Sequence, residues 1–231
     1  MAWPAAGEKG GAAYLAVPLG ATEQHGAHLP LATDTRIATA LVARLAEQRP
    51  DVWAAPALPY GASGEHAGFA GTLSIGRDAL ESVLVELGRS ANHFAGLILV
   101  NGHGGNAEPL ARAAATLRAE GRRCLAWSPS RPAGAPGPAA ASRWDAHGGF
   151  VETSIALALG WPDVDVALAA PGNVAPLGEL ASALRAGGVA AVSPGGVLGD
   201  PTGANPEAGQ EFLDAFSADL DRCVGQWIAG Q

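Results

Sequence analysis

The chain has few of the features that mark a secreted, membrane-bound or nucleic-acid-binding protein. Its 231 residues include only two cysteines, one methionine and two tyrosines. Cys124 and Cys223 lie far apart without metal-ligand spacing, which suits a reducing cytoplasm better than a disulfide framework. Basic residues are scarce: 14 lysines and arginines face 22 aspartates and glutamates, a formal net charge of −8. Such a balance supplies no basic face for phosphates and argues against a nucleic-acid partner. Apolar runs are short and broken by Gly or Pro, and none approaches the roughly 20 residues that cross a bilayer. No membrane partner is expected, and "MAWPAAGEKGG" lacks the basic stretch and apolar core of an export signal.

What remains is a chain with 48% hydrophobic residues, long enough for one large domain over residues 1–231. Strand-like and helix-like segments alternate along it. Strands are expected at 12–19, 52–58, 96–100, 122–128 and 188–193; the run "GLILV" reads as a central parallel strand covered on both faces. Ile37, Leu41, Val42 and Leu45 recur at helical spacing between 34 and 48, as do Leu80, Val83, Leu84 and Leu87 after the glycine-rich loop 60–76. Further helices are expected after Asn106, at 150–159 and near 176–186. The last helix has Asn205 as N-cap and Pro206 behind it, and buries Phe212, Leu213, Phe216, Leu220, Val224 and Trp227. The stretch 129–142, rich in Pro, Ala and Gly, reads as a mobile excursion from the domain. The alternation predicts an α/β fold: a single-domain, doubly wound, mostly parallel sheet flanked by helices.

In such folds ligands bind beyond the carboxyl ends of the strands, and three polar clusters fall there. The first is "ATEQHGAHLPLATDT", with Glu23, His25 and Asp34. Residues two apart in an extended segment point the same way, so Glu23 and His25 can face one cavity to which Asp34 returns. The second is "NGHGGN", with His103. The third is "DAHGGFVETS", with His147 and Glu152. Glu, His and Asp together suit Zn²⁺, Fe²⁺ or Mn²⁺, and a carboxylate bridging two cations, here Asp34, lets them activate one water. Taken singly, each residue has an ordinary structural reading. Asp34 can be a helix N-cap, Glu152 a first-turn carboxylate, and "NGHGGN" a tight turn or an anion-binding loop of a nucleotide-sensing module. His93 reads as structural, and His66 as part of the site wall.

The motifs "PLGATEQHGAHLPLATD", "NGHGGN" and "DAHGGFVETS" resemble the signatures of the creatininase family of metal-dependent amidohydrolases, over residues 12 to 209. "YGASGEHAGFAGTLSIG" and "GGVAAVSPGGVLGDPTGA" narrow the resemblance to the branch found in mycofactocin biosynthesis. That resemblance implies a creatininase-like fold, a homo-oligomer, and one or two divalent cations per chain, Fe²⁺ or Zn²⁺. It implies hydrolysis of a radical-modified precursor peptide to release its C-terminal Val-Tyr-derived dipeptide. By correspondence, Glu23, Asp34 and His103 hold one cation, and His25 with Asp34 the second. Creatininase has a glutamate two places after the histidine matched by His103; here that position is Gly105. Either the second cation is absent, or Glu152 replaces the missing carboxylate, and we take the latter. His147 corresponds to a histidine beside the scissile amide, suited to protonating the leaving nitrogen. Arg36, Arg77 or Arg143 can orient a terminal group of the substrate. The competing enzymatic reading is a small-molecule amidohydrolase acting on creatinine or a formamide.

Overall fold

The structure, a computed structural model, describes residues 10–130 and 145–230. Residues 131–142 of the Pro/Ala/Gly-rich stretch therefore lie outside the described residues. Four parallel strands form one sheet in the order β2-β1-β3-β4: β1 (Tyr14–Leu19), β2 (Val52–Ala54), β3 (Gly96–Asn101) and β4 (Cys124–Trp127). β1 and β3 pair along their whole length, from Tyr14 opposite Gly96 to Leu19 opposite Asn101.

Alternation along the strands sorts the core into two layers. Tyr14, Ala16, Ile98 and Val100 face one side, packed by α1 (Thr33–Gln48), α4 (Phe150–Ala158) and α6 (Pro206–Ala229). Val17, Leu19, Leu97 and Leu99 face the other, covered by α2 (Arg77–Ser90) and α3 (Ala107–Ala119). Every residue of β3 is buried. This is why its sequence is an unbroken apolar run rather than an alternating one. The last helix starts as expected, with Asn205 Oδ1 accepting from the Ala208 amide at 2.9 Å.

Three local expectations are corrected. Residues 188–192 are the end of α5 (Leu177–Val192), not part of a strand, and the helix breaks at Gly188 with φ 68° and ψ −168°. A short apolar run has no periodicity that separates strand from buried helix. β2 stops at Ala54, leaving Leu58 only an isolated bridge to Leu19. Val83 is 40% exposed, although its neighbours Leu80 and Leu84 are fully buried.

The winding order places the site. From β1 the chain passes outward to β2, while β3 leads to β4 on the opposite side. The loops after β1 and β3 therefore diverge and leave a crevice between them.

Candidate metal centre

The segment after β1 enters this crevice with Glu23 and His25 both fully buried. α1 follows, and Asp34 sits in its first turn rather than before it. No side chain caps that helix, so the N-cap reading of Asp34 is overturned. Its carboxylate turns instead toward two histidines: Oδ1 lies 3.0 Å from His25 Nε2, and Oδ2 lies 3.3 Å from His103 Nδ1. His103, just past β3, also brings Nδ1 to 3.2 Å from Glu23 Oε1. Glu23, Asp34 and His103 thus offer three ligand atoms that lie within 4.8 Å of one another.

The backbone fixes how these rings point. His25 Nδ1 donates to the Glu23 carbonyl at 3.0 Å, which leaves Nε2 facing Asp34 and, at 3.9 Å, Glu152 Oε2. His103 Nε2 faces the Ala62 carbonyl at 3.3 Å and Glu65 Oε1 at 3.7 Å, leaving Nδ1 for the carboxylates. Anchoring one ring nitrogen on an acceptor to aim the other is the habit of metal-binding histidines.

Both Glu23 oxygens and Asp34 Oδ2 are buried, yet none is satisfied by an aligned hydrogen bond. Sequestering ionised carboxylates this way is costly unless a cation balances them. The protein's own titration reflects the same demand. Burial alone would lower His25, but the charges of Asp34 and Glu152 push it up to about 10. Burial would raise Asp34, but His25 and His103 hold it well below the usual carboxylate range. Burial dominates at Glu152 and pushes it up to about 7. Nitrogen and oxygen donors without a nearby thiol suit a divalent transition metal with an open position. The residues present fit such an ion.

His147 and Glu152 join from the other wall. His147 Nε2 lies 2.6 Å from the Gln24 carbonyl, an atom that can only accept, so Nε2 carries the proton. In the neutral ring the Nδ1 lone pair then faces inward, 3.6 Å from Glu23 Oε1. Burial and the nearby His25 push His147 well below its ordinary value, so it is neutral. Its ring also lies within ligand reach of two further groups, His25 with Glu152 and Glu23 with His66. The Glu152 carboxylate accepts from the Gly148 amide at 2.6 Å.

Two participants were hidden in the sequence. Gln24 points away from Glu23 and His25, and its Nε2 donates to His66 Nδ1 at 2.8 Å and to the Gly196 carbonyl at 3.0 Å. His66, expected as wall, stands with Nε2 3.3 Å from Glu23 Oε1, and burial holds it at about 3 against the pull of that carboxylate. Their signal was proximity to the motifs, not spacing. His93 belongs to no candidate metal group among the described residues.

Gly105 stands where creatininase has its glutamate. A Cβ there would meet the Ala62 carbonyl at 2.4 Å, His103 Nε2 at 2.4 Å and Glu65 Oε1 at 2.5 Å. The space beside this position is taken by Glu65. A cavity of about 840 Å³ opens onto the centre, lined by His66, His103, His147, Arg77, Leu184 and Arg185 among others.

Comparison with known proteins agrees with this geometry. The creatininase family profile, described as creatinine amidohydrolase, matches residues 1–224. A mycofactocin precursor peptide peptidase of Mycobacterium tuberculosis (strain ATCC 25618 / H37Rv) is 50% identical over 224 residues, covering 93% of this chain and 85% of that protein. The protein of that name from Mycolicibacterium smegmatis (strain ATCC 700084 / mc(2)155) is 48% identical over 218 residues, covering 91% and 84%. Among solved structures, a manganese creatininase is 25% identical with a TM-score of 0.80, covering 98% of this chain and 96% of that one. A creatininase mutant of Zn-Zn type is 25% identical with a TM-score of 0.78, covering 98% and 95%. With one profile spanning nearly its whole length and relatives half identical to it, the chain belongs to the creatininase family of amidohydrolases.

Proposed function

We propose that the protein is a metal-dependent peptidase that hydrolyses a radical-modified precursor peptide and releases its C-terminal Val-Tyr-derived dipeptide during mycofactocin biosynthesis. One observation carries this reading. Proteins named for that substrate are about half identical to the chain over nine-tenths of its length, while creatininases of the same fold are only a quarter identical. The open cavity of about 840 Å³ beside the centre leaves room for a peptide.

In this reading Glu23, Asp34 and His103 hold one divalent cation, Fe²⁺ or Zn²⁺, and His25, Asp34 and Glu152 hold a second. Bound there, the cation supplies Lewis acidity that polarises the amide carbonyl and makes water a better nucleophile. His147 moves the proton. Its Nε2–H is pinned on the Gln24 carbonyl, so the ring does not turn, and Nδ1 faces the reacting groups. Nδ1 takes a proton from the attacking water and gives it to the leaving nitrogen as the C–N bond breaks. His66 walls the site with its ring 4.3 Å from that of His147 between centroids, and the Gln24 amide holds His66 in place. We further place the enzyme in the cytoplasm, in keeping with its free Cys124 and Cys223, and as a homo-oligomer.

Mass spectrometry of the purified enzyme with the radical-modified peptide and creatinine together tests the reading. Release of the C-terminal dipeptide with little creatinine turnover is expected. An intact peptide beside rapid creatinine turnover would establish the small-molecule amidohydrolase instead.

A further inference from the structure

Arginine supplies all but one of the 14 basic residues in this chain, and almost all of the described arginines are already engaged. Arg36 is held by Asp163 and lies over the Trp161 ring. Arg44, Arg49, Arg89, Arg112 and Arg222 pair with carboxylates. Arg118, Arg122 and Arg123 bond to a carbonyl, an amide oxygen or a phenol. Arg77, at the cavity, donates to Glu108 Oε2 at 2.9 Å. Arg131 and Arg143 lie outside the described residues. Arg185 differs. It lines the same cavity as His66, His103 and His147, and it is the one described arginine without a hydrogen bond or ion pair.

The fold carries it there by a specific device. Residues 177–187 of α5 contain no buried residue, whereas Val189, just past the break, is 1% exposed. At the break the Gly188 backbone presses on the turn that carries His66, so closely that a Cβ would meet the Glu65 carbonyl at 2.5 Å. The end of α5 is thus docked beside the site, and the preceding turn presents Arg185 to the cavity. A guanidinium left without an internal partner is a ready fork for a carboxylate from outside. The other charged groups at this cavity do not compete for that role. Arg77 is taken by Glu108, and Glu65 faces His103.

We propose that Arg185 is the carboxylate-binding subsite of the peptide cleft and sets specificity by holding a carboxylate of the segment upstream of the scissile bond. The inference rests on the peptidase reading. Its chemistry admits two sources, an acidic side chain of that segment or the terminal carboxylate it exposes after cleavage.

The probe is the precursor segment lacking its last two residues, which offers no bond to cut. Its affinity for the metal-loaded enzyme is measured by fluorescence anisotropy in three forms: native, with side-chain carboxylates converted to amides, and with an amidated C-terminus. One amide form should bind about tenfold more weakly than the native form, the size of a partly solvated charge-assisted contact. Its identity names the source. Arg185→Gln should lower affinity for the native form by a similar factor, abolish the discrimination, and leave the metal content unchanged. Arg185→Lys should restore part of it. Equal binding of all three forms, or discrimination that persists in Arg185→Gln, overturns the inference. Failure of the enzyme to cut the full modified peptide overturns the peptidase reading instead, and the two results are read separately.

Discussion

Glu23 and Asp34 are buried carboxylates whose presence the fold alone does not require. Neither closes a helix cap, and three of their four oxygens lack an aligned donor. Asp34→Ala is therefore expected to abolish both metal retention and hydrolysis while the protein stays folded. Elemental analysis and circular dichroism check this; full metal content in an active variant would remove Asp34 from the ligand set. His147 separates proton transfer from metal binding. His147→Ala should keep its metal and lose about 10²–10⁴-fold in kcat, the usual range for an acid–base group. Since its Nδ1 also lies near Glu23, loss of metal in that variant would make it a ligand.

At the level of the element, the turn "NGHGGN" does structural as well as chemical work. Asn101 Nδ2 donates to the His103 carbonyl at 2.7 Å, and Asn106 Oδ1 accepts from the Ala62 amide at 2.8 Å. Asn106 Nδ2 donates to the Gly20 carbonyl at 3.0 Å, so one side chain ties the loops after β1 and β3 to the segment that carries Glu65. The glycines allow close approach: a Cβ on Gly102 would meet the Asp34 carbonyl at 2.5 Å. Gly105→Ala should accordingly displace His103 and Glu65. The expected outcome is weaker metal retention and slower hydrolysis, read as metal per chain after dialysis and as kcat. Unchanged values would show that the His103 ring tolerates movement.

Across the whole molecule, the cation and the proton compete for one place. Without metal, His25 keeps a proton up to about pH 10 because Asp34 and Glu152 face it. Its folded pKa lies above the unfolded value of 6.5. The stability this adds to the metal-free protein is complete below about pH 6.5 and is lost as pH rises toward 10. Burial would lower His103 as well, but Asp34 and Glu23 hold it well above its ordinary value. Metal binding at pH 8 should therefore expel protons from both His25 and His103. Calorimetric titration in two buffers of different ionisation enthalpy measures the release, and a buffer-independent heat would contradict both histidines as ligands. Chelation should also lower the thermal midpoint by several degrees, since an ion that binds only the folded state stabilises it by mass action.

Local patterns were enough to read the strands β1, β3 and β4, the helix faces and the two capping residues of α6. Period-2 and period-3.6 burial are properties of neighbouring residues. The same holds for the polar clusters at strand ends: Glu23, His25, Asp34, His103, His147 and Glu152 were legible because the motifs are contiguous and the fold class says where strand ends meet. The apolar run at 188–192 was misread because its end state depends on Gly188 packing against the turn at Glu65, a contact distant in sequence. Taken singly Asp34 could also have been a cap, and only the approach of His25 and His103 to its carboxylate separates the two readings. Gln24, His66 and Arg185 gained their places only through long-range contacts. Side-chain identity and spacing determined which groups the chain could offer to a cation; tertiary packing decided which oxygens were left unsatisfied, which ring nitrogen faced inward, and which arginine stayed free.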